Sequence, residues 1–192
     1  MQFNEIIFYF NKRLMQDFPV LDENARVAIM ANTAYECMNF TRLQEIKPTV
    51  PGSRGGYGWE QWTGPRRVEF EKFCRARALD ISSPDANYSF LAYELRTTEH
   101  HAITALADDN TLERKVEIFM RVFLRPGVPA LDARTKKAYE ILHVITNTVP
   151  PAKPQSQPMP EVIATTKPSA AVWVVMAVVL VILALAMIAQ LL

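Results

Sequence analysis

The last 24 residues, SAAVWVVMAVVLVILALAMIAQLL (169–192), contain no charged side chain. As a helix they would reach about 36 Å at ~1.5 Å per residue, enough to cross a hydrocarbon layer ~30 Å thick. Just before them, residues 148–168 place six prolines in 21 positions. Such a segment is a semi-extended linker, spanning at most about 65 Å at ~3.1 Å per residue. These two stretches confine any globular fold to residues 1–147. The expected organisation is a domain at 1–147, a proline-rich linker at 148–168 and a transmembrane helix at 169–192, with Trp173 as an interfacial anchor. The first 20 residues carry Glu5, Lys12, Arg13 and Asp17, so no secretory signal is expected there. Lys153 and Lys167 precede the apolar run and no charge follows it, a bias that favours a cytoplasmic N-terminal domain.

The chain has 192 residues and is 49% hydrophobic, enough for one domain with a true core. Over residues 1–147, 19 basic residues balance 19 acidic ones. That neutrality argues against a nucleic-acid partner, which calls for a basic stripe. Cys37 and Cys74 form no paired spacing, so two buried free thiols are expected rather than a disulfide. His100 and His101 are adjacent and would diverge on a helix, and no metal site is expected.

Apolar spacing predicts helices over Asn4–Gln16 and from Asp22, as cap, to Glu36. Pro65 and the Ser83-Pro84 pair suit helix starts, for helices reaching Ala78 and Arg96. Further helices are expected over Thr98–Ala107, Thr111–Leu124 and Ala133–Asn147. Between Met38 and Gly64 glycine and proline break the pattern, and a small β-hairpin or irregular insert fits. There is no internal repeat. The fold class is thus mainly α, with a small insert.

Four of the six glycines lie between Gly55 and Gly64, in GGYGWEQWTG. No Lys-Ser/Thr follows them and no βαβ unit contains them, so neither a phosphate loop nor a dinucleotide site is formed. Glycine allows close backbone approach, and Tyr57, Trp59 and Trp62 offer flat apolar faces with polar tips, equipment that suits a sugar; a plain glycine turn beside core tryptophans is the alternative. Glu36 falls at the end of the second helix, beside apolar positions. Burial and the helix C-terminus both disfavour a carboxylate charge, the setting a general acid needs; an ordinary helix-end glutamate is the alternative.

Together these residues resemble the phage tail-type lysozymes and related phage endolysins. The family pattern runs Glu-Ser-Gly-Phe, a loop, then Gly-Tyr-Gly-x-x-Gln-Trp-Thr and a basic helix start. Here the first block is Glu36-Cys37-Met38-Asn39-Phe40 and the second runs from Gly56 to Arg67. The segments FLAYELRTTEHHAI and FMRVFLRPGVPALDAR are similar to later helices, so the likeness covers about residues 5–145. Cys37-Met38 replace Ser-Gly, and Glu60 stands where the family often has a small or uncharged residue. The resemblance implies a lysozyme-like α+β fold and cleavage of the β-1,4 bond between N-acetylmuramic acid and N-acetylglucosamine in peptidoglycan, with no cofactor. It implies Glu36 as acid, Glu45 or Glu60 (or neither) as second carboxylate, with Glu45 preferred, and Tyr57, Gln61 and Trp62 lining the sugar cleft. Arg66 and Arg67 are expected as helix-surface charges. A lytic transglycosylase and a non-catalytic membrane-anchored protein on the same fold are the competing readings. The expected partners are glycan strands and, through 169–192, a lipid bilayer. The expected location is the host inner membrane or the virion.

Overall fold

In the computed structural model, residues 1–48, 50–108 and 110–148 are described. The expected linker and transmembrane helix lie outside these residues. No helix among the described residues is long and apolar enough to cross a membrane. The described fold is mainly helical: α1 (Phe3–Asp17), α2 (Glu23–Glu36), α3 (Gly64–Ala76), α4 (Pro84–Arg96), α5 (His100–Ala107), α6 (Leu112–Phe119) and α7 (Leu131–Thr148). The expected final turn of the sixth helix is instead a π-helical segment, Met120–Leu124, closed by Arg125 in the left-handed region at φ 53°.

Helix α2 is the axis of the core. Nine of its residues, from Ala25 to Ala34, are buried. Small side chains at Ala25, Ala28, Ala31 and Ala34 let α1, α6 and α7 approach from different sides. Asn32 and Lys115, polar residues caught in this core, are satisfied. Asn32 donates to Ala28 O (2.9 Å) and Val116 O (3.1 Å), tying α2 to α6. Asp22 caps α2 through Ala25 N at 2.7 Å. Its other oxygen receives the ammonium of fully buried Lys115, which also donates to Leu106 O at the end of α5. One aspartate thus starts α2 and fixes α6 beside it.

Of the two forms expected for the insert between α2 and α3, a hairpin or an irregular segment, the irregular one is found. Among the described residues it forms no strand, only isolated antiparallel bridges at Gln44–Tyr57 and Tyr57–Trp62. Side chains take over the ladder's work. Gln44 Nε2 donates to the carbonyls of Arg54 (2.9 Å) and Gly56 (3.2 Å), and Glu45 Oε2 accepts from Gly56 N at 2.7 Å. The backbone groups are paired without a regular sheet. At Gly58, φ is +83° and a Cβ would meet the Trp62 ring at 2.6 Å and Asn87 Oδ1 at 2.8 Å. This glycine makes room for the protein's own core.

Candidate functional site

Glu36 is the last residue of α2, and the chain turns away from it through three consecutive left-handed residues, Met38, Asn39 and Phe40 (φ 49–64°). This turn leaves the Glu36 side chain 20% exposed at the mouth of a cavity of about 450 Å³. The insert supplies one wall with Glu45, Glu60, Gln61 and Thr63; the end of the π-helical turn and the residues after it supply the other with Leu124, Pro126 and Gly127. That second wall is braced from behind, where Arg125 grips Glu99 through two hydrogen bonds of 2.9 and 3.0 Å.

The setting of Glu36 is not the apolar one expected. Arg134 of α7, 1% exposed, donates to Glu36 Oε1 at 2.5 Å. The same guanidinium donates to Asn32 Oδ1 (3.1 Å) and Pro129 O (2.8 Å) and lies over the Tyr35 ring at 4.4 Å. It holds the carboxyl in one orientation from below. Sequence patterning missed Arg134 because it lies 98 residues away; its position on the inward face of the last helix was the available signal.

The other expected residues divide. Glu45 and Gln61 reach the cavity with Glu36. Gln61 is fixed there, with φ 49° and its amide donating to Leu43 O (3.0 Å) and Gly58 O (2.9 Å). Trp62 does not face a cleft: it is 1% exposed, packs on Phe70 with centroids 4.5 Å apart, and donates its indole N–H to Glu94 at 2.7 Å. Trp59 is likewise core, against Phe10 and Phe40. Tyr57 is half-buried beside Phe70, under the Arg67 guanidinium at 5.2 Å, and does not line the cavity. The turn explains the split, because Trp59 and Trp62, three residues apart on it, point inward while Glu60 and Gln61 between them reach the cavity. Arg66 and Arg67 are not free surface charges. Arg66 forms a two-pronged pair with buried Glu94 (2.7 and 2.8 Å), and Arg67 donates to the carbonyls of Arg54 and Gly55.

Glu60 is the buried carboxyl of the group, 5% exposed. Its Oε1 lies 2.5 Å from the Thr33 hydroxyl, and its Oε2 is buried with no hydrogen-bond partner. Burial pushes it up to about 8; the Thr33 contact opposes that push, and the Glu36 charge adds to it. Burial and the nearby Glu60 charge also push the Cys37 thiol up, so it stays an inert core residue. Both cysteines are free and buried.

A carboxyl cavity closed by two short walls, set at the end of the central helix, is thus the site. The phage tail lysozyme family model matches residues 14–145, more than half of the chain and nearly all of the described fold. The chain belongs to the phage tail lysozyme family. In this chain the Glu36 block and the Gly56–Arg67 block, which carried the resemblance, are the two segments that bring Glu36, Glu60 and Gln61 to one cavity. Membership makes a lysozyme-like, peptidoglycan-degrading activity the coarse functional assignment. Comparison with curated proteins found no match.

A second groove of about 470 Å³ runs over α1, α3 and α4. Four of its ions pair with each other, Arg13 with Asp85 at 2.9 Å and Arg96 with Asp17 at 2.6 Å, and Arg77 lies over the Phe73 ring at 3.8 Å. It offers no unpartnered buried group among the described residues.

Proposed function

We propose that this protein is a muramidase that cleaves the β-1,4 bond between N-acetylmuramic acid and N-acetylglucosamine. The observation that carries the reading is the meeting of Glu36 and Glu45, from two separate segments, in one cavity lined by Gln61. The common route of glycosidic hydrolysis uses two carboxyl groups flanking the scissile bond. Glu36 is the acid that protonates the leaving oxygen, and Arg134 fixes the angle from which it does so. Glu45 activates water or stabilises the oxocarbenium-like state from the insert side. Gln61, with its amide N–H groups committed to the backbone, presents its carbonyl edge to substrate.

The test is digestion of purified peptidoglycan by the full chain and by Glu36→Gln. Wild type releases soluble fragments with reducing-end muramic acid, and the variant is slowed by at least about 10²-fold, the usual weight of a positioned acid. Fragments with 1,6-anhydro ends would make the enzyme a transglycosylase. Glycan binding without cutting would reduce it to a non-catalytic anchor. Residues 169–192 form the membrane tether in this reading, holding the enzyme at the host inner membrane until lysis. Fractionation of infected cells before lysis, beside purified virions, tests that placement; abundant protein in virions and none in host membranes would assign it to wall penetration during infection.

A further inference from the structure

Glu60 belongs to the cavity but not to the two-carboxyl scheme. Its hydrogen bonding shows which form it takes. The Thr33 hydroxyl has one proton and two oxygen neighbours, Glu60 Oε1 at 2.5 Å and Ile29 O at 2.9 Å. Ile29 O is a carbonyl and can only accept. If Thr33 gives its proton to Ile29, the proton in the Thr33–Glu60 contact comes from Glu60. A protonated Glu60 therefore satisfies both contacts; an ionised one costs the Ile29 bond. The second oxygen agrees: Oε2 is buried without a donor, tolerable for a neutral carboxyl and expensive for a carboxylate.

The charged groups facing Glu60 are Glu36 and the thiol of Cys37 from α2, Arg66 from α3, and Glu94 from α4, with Glu45 across the cavity. Both cations in reach of this region are committed, Arg66 to Glu94 and Arg134 to Glu36. We propose that Glu60 is a positioning carboxyl that works only while protonated: its O–H to Thr33 keeps the cavity wall neutral beside Glu36, and loss of that proton shuts the site at alkaline pH. An ionised Glu60 leaves a buried, unpaired charge in the wall beside Glu36, because Arg66, the cation that acts on it, is committed to Glu94. The alkaline shut-off rests on the muramidase reading; the protonation state does not.

The raised value, about 8, sets the pH window. A carboxyl whose folded value lies above its unfolded value, here 4.5, binds its proton more tightly in the folded state. Its contribution to stability is full below about 4.5, declines as pH rises to about 8, and is level above that. Glu60→Gln mimics the neutral form and removes this dependence.

The experiment follows full-length wild type and Glu60→Gln from about pH 5 to about pH 10, by thermal unfolding and by peptidoglycan digestion. The Tm difference should shift in favour of Gln as pH rises to about 8 and then stay constant. Wild-type digestion should fall about tenfold per pH unit above about 8, while the variant, whatever its rate at neutral pH, loses that limb. A Tm difference that does not change with pH overturns the proposal, as does an unchanged alkaline limb in an active variant. If neither protein cuts glycan at any pH, the muramidase reading and the shut-off fall together, and the Tm difference still decides the protonation state. Should Glu60→Gln fail to fold, infrared titration of wild type decides that point. A protonated-carboxyl band at about pH 7 that vanishes above about 8 supports it, and no such band overturns it.

Discussion

Arg134 is an arginine with almost no contact with water, held by a carboxylate, an amide and a carbonyl. Its neighbours are arranged for a planar fork, so a lysine cannot replace it. Arg134→Met leaves Glu36 without its partner and Asn32 Oδ1 without its donor. Removing one member of a buried pair costs about 3–5 kcal/mol; with Glu36 still 20% exposed, we expect about 3 kcal/mol in urea unfolding. Digestion should fall further than the folded fraction does, because Glu36 loses its orientation. At this scale the sequence was half legible. Glu36, Glu45 and Gln61 could be named from the family resemblance, and they line one cavity. Trp62 could not be placed, because a tryptophan with a buried acceptor such as Glu94 and one facing a sugar are the same letter. Arg134 acquires its role only when α7 packs on α2.

Among the elements, the turn after α2 is held at a conformational cost. Met38 is 53% exposed and sits at φ 49°, where a β-carbon costs about 1–2 kcal/mol. Met38→Gly should therefore stabilise the domain, by about 0.5–1 kcal/mol after the entropy glycine adds to the unfolded chain, as a higher urea midpoint with an unchanged slope. The insert behaves oppositely. Gly58→Ala meets the Trp62 ring at 2.6 Å and should cost about 3 kcal/mol, whereas Gly64→Ala, with φ +49° and nothing within 4 Å, should cost about 1 kcal/mol. Measuring both variants separates packing from backbone strain. Helix positions were well anticipated from caps such as Asp22 and Ser83, whose side chains accept from Ala25 N and Ala86 N. Two elements were not. The choice between hairpin and irregular insert was open in the sequence, and the irregular form results because Gln44 and Glu45 spend their side chains on the opposite backbone. The π-helical turn keeps helical periodicity to within one residue, so apolar spacing cannot distinguish it.

For the whole molecule, the tryptophans provide a way to ask about the tail. Trp59 and Trp62 are buried in the domain, and Trp173 is the third. In a Trp59→Phe, Trp62→Phe protein, Trp173 emits alone. Added phospholipid vesicles should shift that emission to shorter wavelength, and brominated lipids should quench it. Emission unchanged by vesicles would remove the membrane tether.

The Glu36–Arg134 pair also has a consequence in time. It joins residues 98 positions apart, while Thr33 and Glu60 are only 27 apart. The Thr33–Glu60 side of the cavity can form early during synthesis. Its other half cannot form until α7 leaves the ribosome, because contacts this distant in sequence form late. A chain interrupted anywhere before residue 134 lacks the guanidinium that aims Glu36. With Glu36 as the proposed acid, the order of synthesis itself would keep the activity silent until the domain is almost complete.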